Sequence, residues 1–339
     1  MKKNVKHTTI KDVAQQANVS TATVSHVINK TRHVEKITEE RVLRAIEDLK
    51  YTPNVLARSL KGKGTKTIGI IIADIRESFF ANVVKSIESN LNKKNFSLIL
   101  CDSEDTVEEE LFYIDILLRK GIDGLIFTPV NAHESYAILQ ASHIPIIQLD
   151  RKTYHYHFDY IGIDNVKSAA MATQHLFEHG YKAIGFIGYD KTVYTMEKRL
   201  EGYKNVMVER GVFDDKFVKI VDYRDHGKTM KDYIKAWLHA CQPMDAIICG
   251  VDNICYETLG ALEESGLHVP ENMGLISFDD PKWFTYMKPP ITAVRQPTEK
   301  IGQLAVERIM QRIHSPSKHD FTESLLDAEL MIRESCGTH

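Results

Sequence analysis

The hydrophobic residues at the start of the chain are spaced as in three short amphipathic helices. In the first helix the inward positions, three or four residues apart, are Ile10, Val13, Ala14 and Ala17. Thr9 precedes this helix as an N-cap, and Asp12 stands where a capping-box acid reaches back to the cap. The inward positions of the next two helices are Val24, Val27 and Ile28, then Val42, Ala45, Ile46 and Leu49. Ser20 and Thr38 are the predicted N-caps of these helices.

The first two helices are joined by a tight connection at Asn18 and Val19, which favours a helix-turn-helix. The outer face of the second helix carries small or polar side chains: Thr21, Ala22, Thr23, Ser25 and His26. In a helix-turn-helix, side chains near the start of this helix enter the major groove of DNA. A three-helix unit that binds no nucleic acid is the alternative.

From Lys66 onward, short apolar runs alternate with amphipathic segments. The runs typical of buried strands cover 67–73, 96–102, 124–129, 144–150, 183–188, 217–221, 246–250 and 273–280. Helices are expected near 80–91, 108–119, 135, 165–178, 199–210, 233–239 and 254–264. Continuous apolar strands between helices predict parallel sheets that are covered on both faces. The fold class is therefore α/β, with an all-α head followed by two successive doubly wound units.

Composition adds a charge asymmetry to this picture. Residues 1–66 hold 14 Lys/Arg against 6 Asp/Glu, so this part carries +8 and the remainder −11 of a total of −3. A basic head on an acidic body is the pattern expected for a polyanionic partner at one end, although a solvated charged face is the simpler alternative. No apolar stretch approaches the length of a membrane span, and the basic N-terminus lacks the apolar core of a secretory signal. The five cysteines are odd in number and show no CxxC spacing, so we expect reduced thiols in a cytoplasmic protein.

Residues 52–60 continue the chain with a further helical run. Pro53 is well tolerated in a first turn, where its missing N–H costs nothing. The run is shorter than the roughly 12 residues that an isolated helix needs in water. We therefore expect it to fold only when it is paired with its copy and with DNA. Residues 62–65 form a flexible basic linker that lacks the full spacing of a phosphate-binding loop.

The segments TIKDVAQQANVSTATVSHVINKTR and YTPNVLARSL together resemble the head of the LacI/GalR family of bacterial transcription regulators, especially its purine-repressor members. The resemblance is most specific over residues 8–62. It implies that Thr21, Ala22 and Thr23 approach base edges, and that Leu60 is an apolar wedge in the minor groove. The predicted DNA-binding residues are Thr9, Ser20, Thr21, Ala22, Thr23, Ser25, His26, Asn29, Arg32, Asn54, Ala57, Leu60 and Lys61.

Over the rest of the chain the same resemblance implies a periplasmic-binding-protein-like fold, with two lobes and a ligand cleft between them. The expected domains are a head (1–51), a hinge helix and linker (52–66) and an effector-binding and dimerisation domain (67–339). Family members cross between lobes three times, which implies lobe 1 at about 67–164 and 297–324, and lobe 2 at about 165–296 and 325–339.

Polar residues directly after predicted strands are candidates for ligand binding, because open α/β sheets bind ligands beyond the carboxyl ends of their strands. With two positions added by the resemblance, Arg199 and Gln296, the predicted effector site comprises Glu77, Phe79, Phe80, Asp150, Arg151, Arg199, Tyr223, Val251, Asp252, Asp279 and Gln296. Carboxylates and guanidinium groups can each bind two neighbouring hydroxyls, so a sugar or sugar derivative is the expected effector. A purine-type corepressor is the alternative. Where sugar-binding members often have Asn-Pro-Phe-Phe, this chain has Glu77 and Ser78 before the two phenylalanines.

A competing pattern is H-x-x-E-H at His175, Glu178 and His179, the spacing of inverted zinc peptidases. Residues four apart share a helix face, so both histidines could bind one metal as part of a hydrolase. Gly180, however, follows directly and is typical of a helix end. We expect no metal or cofactor here and no enzymatic activity. The expected function is a homodimeric regulator that binds double-stranded, nearly palindromic operator DNA under the control of a small effector.

Overall fold

The computed structural model describes residues 8–30, 32–51, 64–130, 133–153, 156–190, 192–221, 229–315 and 320–337. The chain separates into two compact units, Met1–Thr65 and Lys66–His339. We call the described residues 8–51 the head and residues from Lys66 onward the body. Within these ranges, no helix is both long enough and apolar enough to span a bilayer.

The described part of the head contains three helices around one small core. They are α1 (Ile10–Gln16), α2 (Thr21–Asn29) and α3 (Lys36–Asp48). Val13, Val24 and Val42 are fully buried at their meeting point. Thr9 and Asp12 form the predicted capping box, and the Ser20 hydroxyl accepts a 3.0 Å hydrogen bond from the Thr23 N–H.

The predicted cap of the third helix is wrong. Helix α3 begins at Lys36, and Glu35 is its N-cap. The Glu35 carbonyl already accepts hydrogen bonds from the N–H groups of Thr38 and Glu39, both at 2.9 Å. Thr38 therefore lies inside the first turn, where its hydroxyl accepts from Arg41 at 3.5 Å.

Lobe 1 of the body is a six-stranded parallel sheet in the order β11-β5-β4-β3-β1-β2. Its strands are β1 (Thr67–Ile72), β2 (Ser97–Asp102), β3 (Gly124–Phe127), β4 (Ile146–Leu149), β5 (Asp159–Ile163) and β11 (Glu323–Leu326). Its helices are α4 (Ser78–Asn92), α5 (Val107–Arg119), α6 (His133–Ala141) and α11 (Thr298–His314). Helices α4 and α11 pack closely: the Ser86 hydroxyl donates to the Glu299 carbonyl at 2.8 Å, and a Cβ on Gly302 would lie 2.5 Å from Ser86.

Lobe 2 is a second six-stranded sheet, in the order β12-β10-β9-β8-β6-β7, in which only the β10–β12 pair is antiparallel among the described strands. Its strands are β6 (Ile184–Tyr189), β7 (Val218–Val221), β8 (Ala246–Cys249), β9 (Gly274–Phe278), β10 (Thr292–Arg295) and β12 (Glu329–Met331). Its helices are α7 (Asn165–Glu178), α8 (Tyr194–Glu209), α9 (Met230–Ala240) and α10 (Asp252–Glu264). In the described part of this lobe, short 3-10 helices lie at Asp215–Phe217, Lys282–Tyr286 and Glu334–Cys336.

The described chain passes between the lobes after β5, after β10 and after β11. The returning helix α11 is tied to lobe 1 by Asp159, whose carboxylate accepts from Arg312 Nε at 2.6 Å and pairs with Arg308 at 3.5 Å. Burial raises the pKa of Asp159, but hydrogen bonds from Arg312 and Thr322 outweigh this and hold it below its usual value. This carboxylate therefore stays ionised, and it links β5 to helix α11 and to Thr322 just before β11.

Candidate DNA-binding surface and ligand cleft

The outer face of α2 presents short side chains to solvent. Thr21 and Ala22 are exposed, as is Arg32 beyond the helix, whereas Thr23, Ser25 and His26 are half-buried. The Thr9 and Ser20 hydroxyls, also predicted to bind DNA, belong to the helix caps. The predicted contacts Asn54, Ala57, Leu60 and Lys61 lie outside the described residues, as does the side chain of Asn29.

A basic depression of about 480 Å³ lies between the end of α2 and the start of α3. Its walls include His26, Lys30, Arg32, His33 and Lys36, against one acid, Glu39. Lys30 ends α2 in the left-handed region, with φ 49°, and its N–H donates to the His26 carbonyl. Lys30, Arg32 and Lys36 thus follow the end of α2 in the chain, an arrangement that suits the phosphate backbone of a duplex.

In the body, a pocket of about 340 Å³ lies between the lobes at the carboxyl ends of their strands. We call it the cleft. Lobe 1 contributes Ala73, Asp74, Arg76, Glu77, Glu104, Asp105 and Arg151, and lobe 2 contributes Tyr189, Met230, Val251, Asn253 and Ile254. Glu77, Arg151 and Val251 were predicted from the sequence. Tyr189 and Asp105 were missed, although Tyr189 ends β6 and Asp105 comes three residues after β2, so the same rule points to both.

Two of the predicted aspartates end strands in the same unusual conformation. Asp150 follows β4 with φ 64°, and Asp279 follows β9 with φ 66°. Non-glycine residues adopt this left-handed region at an energetic cost, and such strain concentrates at functional sites. The Asp279 carboxylate accepts a 2.8 Å hydrogen bond from Gln296 Nε2. The Asp150 carboxylate accepts none from the described residues and is 6% exposed.

Arg199 lies in the second turn of α8, which begins at Tyr194, five residues earlier than the sequence predicted. The side chain is buried, and its guanidinium is held by neutral groups. Nε donates to Asn165 Oδ1 at 2.8 Å, Nη1 donates to the Gly250 carbonyl at 2.7 Å, and the guanidinium carbon stacks 4.3 Å from the centre of the Phe278 ring. Among the described residues no carboxylate forms an ion pair with Arg199. Its charge is therefore positioned but not neutralised by direct contact.

Of the other contacts at the cleft, one lies within lobe 1 and two join the lobes. Arg151 Nη1 donates to Asp105 at 2.5 Å, and Nη2 approaches the Tyr189 hydroxyl at 3.4 Å, whereas Arg151 Nε has no partner in the described structure. Ser78 in lobe 1 donates to Asp252 in lobe 2 at 2.8 Å. Burial raises the pKa of Asp150, Asp252 and Asp279, the last to about 7, and that of Glu77 to about 8.

The aromatic residues predicted for the effector site are not among those that line the cleft. Phe79 and Phe80 are 5% and 1% exposed, lie in the hydrophobic core, and meet edge to face with ring centres 5.1 Å apart. Tyr223 lies outside the described residues. A contact of these rings with the effector stays a prediction.

The H-x-x-E-H segment ends helix α7. His175 Nε2 lies 3.2 Å from the buried Cys336 sulfur, and His179 Nδ1 lies 2.9 Å from the His175 carbonyl. Glu178 accepts from Gln174 at 3.1 Å. Gly180 adopts φ 87° just past the helix, as predicted for a terminating glycine. Across the described ranges, no group of three or more His, Cys, Asp or Glu side chains is placed to hold a metal ion.

Comparisons with known proteins match both units. Residues 9–54 match the family of bacterial regulatory proteins called lacI, and residues 173–336 match a periplasmic binding protein-like domain. The HTH-type transcriptional repressor PurR of Photobacterium profundum is 32% identical over 329 residues, which cover 96% of this chain and 98% of that protein. The protein of the same name from Actinobacillus pleuropneumoniae serotype 3 is 33% identical over 330 residues, with the same coverage.

Solved structures agree with this assignment. A complex of the transcriptional regulator CelR with cellobiose aligns with a TM-score of 0.73 and 26% identity, over 97% of this chain and 99% of that one. The lac repressor dimer bound to operator and the anti-inducer ONPF shares the fold, with a TM-score of 0.86 at 23% identity, over 98% of this chain and 100% of that one. The chain thus belongs to the LacI family of bacterial transcription regulators, with a helix-turn-helix DNA-binding head and a two-lobed, periplasmic-binding-protein-like effector domain.

Proposed function

We propose that this regulator is a homodimeric repressor whose operator affinity is set by a small polar effector, a sugar or sugar derivative, bound in the cleft. The observation that carries the proposal is the pair Arg199 and Asp150. Both side chains are buried at the interface of the lobes, yet Arg199 lacks a carboxylate partner and Asp150 lacks a hydrogen-bond donor among the described residues. Buried polar groups are normally paired, so these two are suited to a ligand.

The chemistry of a polyhydroxylated molecule fits these groups. Hydroxyls donate to the carboxylates of Asp150 and Asp279 and accept from the guanidinium of Arg199. Further bonding capacity remains at Arg151 Nε and Gln296 Oε1, which are buried without a partner in the described residues. Neighbouring hydroxyls can therefore be recognised in pairs, which gives specificity for a particular arrangement of hydroxyl groups.

The same groups provide a means of control. Asp150 and Glu77 belong to lobe 1, whereas Arg199 and Asp279 belong to lobe 2. A ligand that forms hydrogen bonds with residues of both lobes favours one relative orientation of the lobes over another. The shift in this equilibrium is set by the difference between the ligand's affinities for the two orientations. We infer that this orientation decides whether the two copies of residues 52–60 pack together on DNA, with Leu60 in the minor groove.

We further infer that two heads bind the two halves of a nearly palindromic operator in the cytoplasm, because a two-fold dimer matches a two-fold site. The proposed division of the chain is head (1–51), hinge (52–66) and effector-binding and dimerisation domain (67–339). The lac repressor with which the chain shares its fold was solved as a dimer on operator DNA. A sedimentation experiment tests this step, since a monomer that stays monomeric with operator DNA contradicts it.

A purine corepressor is the second candidate. It is favoured by relatives named PurR, two of which align with nearly the full chain at 32% and 33% identity. A purine base would use the same donors and acceptors, with its ring nitrogens in place of hydroxyls.

A thermal-shift screen of the full chain decides between these classes. Sugars, sugar acids, sugar phosphates and purines are tested singly, because a ligand that binds only the folded state raises the melting temperature by mass action. We expect a hit among the sugars or their derivatives that also changes operator affinity. A purine as the only hit supports the second candidate, and a hit that leaves operator affinity unchanged contradicts effector control.

A further inference from the structure

The two lobes place an aspartate at the same point of their sheets and in the same backbone conformation. Strand β4 of lobe 1 and strand β9 of lobe 2 are each the third strand from one edge, counted from β11 and from β12. Each is followed by an aspartate in the left-handed region, Asp150 with φ 64° and Asp279 with φ 66°. A non-glycine residue stays in this region only where its surroundings fix it. The contacts that fix these two residues are therefore part of how the site is built.

In each lobe the residue after this aspartate is charged and is held in a buried ion pair. In lobe 1, Arg151 pairs with Asp105 at 2.5 Å. In lobe 2, Asp280 pairs with Arg295 at 2.5 Å and with Arg333 at 2.8 Å, and its side chain is only 4% exposed. Both lobes thus anchor the chain directly beyond the strained aspartate. Arg333 differs from the other members of these pairs, because it comes from the C-terminal segment after β12.

Arg333 holds Asp280 with two parallel hydrogen bonds. Its Nη1 donates to Oδ1 at 2.8 Å and its Nη2 to Oδ2 at 2.9 Å, the bidentate geometry that fixes direction as well as distance. The backbone of Arg333 is itself fixed, since its N–H donates to the Thr292 hydroxyl at 3.0 Å. Burial raises the pKa of Asp280, but hydrogen bonds from Arg333 and Arg295 outweigh this and hold it below its usual value. The carboxylate therefore stays ionised and firmly placed.

The residues next to this ion pair are two of those proposed to bind the effector. Asp279 directly precedes Asp280. Gln296 directly follows Arg295. Gln296 Nε2 donates to the Asp279 carboxylate at 2.8 Å, while the Asp279 N–H donates to the Val294 carbonyl at 3.0 Å. The ends of β9 and β10 are thus joined by two neighbouring contacts, and a shift of the ion pair moves the hydrogen bond beside it, because consecutive residues share a planar peptide unit.

Resting on the proposed function, we infer that Arg333 is a positioning residue of the effector site, whose two hydrogen bonds to Asp280 hold Asp279 in the orientation that accepts a hydrogen bond from the effector. Arg333 acts through Asp279 and needs no contact with the effector itself. A sugar hydroxyl and a purine N–H are both donors, so the inference holds for either class of effector. It also ties this aspartate to the last passage of the chain from lobe 1 to lobe 2, which leads through β12 to Arg333. One more buried ion pair with a purely structural role is the alternative.

Lobe 1 contains a matched ion pair that serves as the control. Arg312 pairs with Asp159 at 2.6 Å, and the side chains of Arg312 and Arg333 are both 12% exposed. After the loss of either arginine the acid keeps a second one, Arg308 or Arg295. Asp159 begins β5, at the end of the strand away from the cleft. The Arg333→Gln and Arg312→Gln variants should therefore lose similar stability, and only the first should disturb the effector site.

Two measurements on the full chain test the inference. Hydrogen–deuterium exchange at the Asp279 amide should be about tenfold faster in Arg333→Gln than in Arg312→Gln, because the local contacts that protect this amide are weakened. Calorimetry measures the binding of D-glucose, D-galactose, D-ribose and hypoxanthine, each tested singly. The tightest of these probes for the wild type should bind about tenfold more weakly to Arg333→Gln and equally well to Arg312→Gln. Arg333→Lys keeps the charge but loses the paired hydrogen bonds, so both effects should be present and smaller.

Equal exchange at Asp279 in the two glutamine variants overturns the inference, as does an unchanged affinity of Arg333→Gln for the probe. If Arg333→Gln does not fold, Arg333→Lys takes its place in both comparisons. A probe that binds the wild type and both variants alike keeps the proposed function and rejects the role of Arg333. If none of the four probes binds at about 50 mM, the effector classes of the proposed function are contradicted, and faster exchange in Arg333→Gln still supports the positioning of Asp279.

Discussion

The head and the cleft recognise their partners by opposite means. The head presents exposed, short side chains and basic groups from one continuous stretch, residues 8–51. The cleft is lined by groups gathered from distant points of the chain, among them Glu77, Arg151 and Tyr189. The charges differ accordingly, +8 for residues 1–66 and −11 for the remainder. A DNA duplex is thus attracted by the net positive charge of residues 1–66 and repelled by the net negative charge of the remainder.

This difference has energetic consequences. Exposed basic groups bind a polyanion with an affinity that falls steeply as salt rises, because bound counterions are released. Buried groups are screened much less by salt, and removing one partner from them leaves the other unsatisfied. Single substitutions in the cleft should therefore have larger and more specific effects than single substitutions on the head.

The largest effect is expected from Arg199→Ala. The variant removes a buried guanidinium that has no carboxylate partner among the described residues, and we expect effector affinity to fall by about 100-fold or more, because the loss of a buried charged hydrogen bond costs roughly 2–5 kcal/mol. Operator binding without effector should be retained. Calorimetry and fluorescence anisotropy measure the two quantities. Lys204→Ala is the matched control on the same helix, since its 3.9 Å ion pair with Asp215 is exposed. An intact effector response in Arg199→Ala would remove this residue from the site.

A smaller effect, confined to DNA, is expected from Leu60→Ala. Truncating the proposed wedge should lower specific operator affinity by about tenfold and reduce bending, because a minor-groove wedge is what keeps the duplex kinked. Salt-sensitive binding to nonspecific DNA should be unchanged. Anisotropy titrations and a gel assay of DNA bending measure these effects. Unchanged bending would show that Leu60 is not a wedge.

The Glu77→Gln variant tests whether this carboxyl of the cleft makes the stability of the protein depend on pH. Because burial raises the folded-state pKa of Glu77 to about 8, its contribution to stability is fully present below its unfolded pKa and is lost as pH rises through about 8. The wild-type melting temperature should therefore fall between about pH 5 and pH 8, and the variant should lose part of this dependence. Thermal melts across this range test the effect, with Glu108→Gln as the control. Parallel pH profiles for the wild type and Glu77→Gln would refute the assignment.

The smallest effect is expected from Ser78→Ala, which removes the 2.8 Å hydrogen bond between the lobes. We expect a loss of about 1 kcal/mol in body stability, typical of one hydrogen bond. The relative population of the two lobe orientations should also shift, which would appear as a changed ratio of operator affinities with and without effector. Ser89→Ala, on the same helix, is the control. A stability loss with an unchanged ratio would mean that this bond does not bias the switch.

The sequence predicted a region well where its contacts are between residues close together in the chain, and poorly where they are between distant residues. The head follows from local spacing, and only its third N-cap was wrong, because the backbone starts the helix at Lys36 irrespective of the favourable hydroxyl at Thr38. In the body, long apolar runs such as that of β1 predicted their strands. Strands β5, β10, β11 and β12 were not predicted, because they depend on pairing with distant strands.

The residues of the ligand site were likewise predicted only where a local pattern marks them. Asp150 and Asp279 were found because they follow strands, but no local pattern shows that Arg199 stacks on Phe278 and is held by Asn165. Its position was suggested only by the family resemblance. The pairing of Arg151 with Asp105 joins residues 46 positions apart in the chain. It arises because the carboxyl ends of β2 and β4 lie at the same edge of one parallel sheet, and no local spacing predicts it.

The most direct test of the account is the coupling between the cleft and the head. An operator is first selected from random duplexes, and its affinity is measured with and without a saturating ligand from the screen. The affinity of that ligand is then measured with and without operator. If the cleft controls the head, both ratios must be equal and far from one, roughly 5- to 150-fold, and both must collapse to one in Arg199→Ala. A ratio of one in the wild type, with the cleft occupied, would contradict the account.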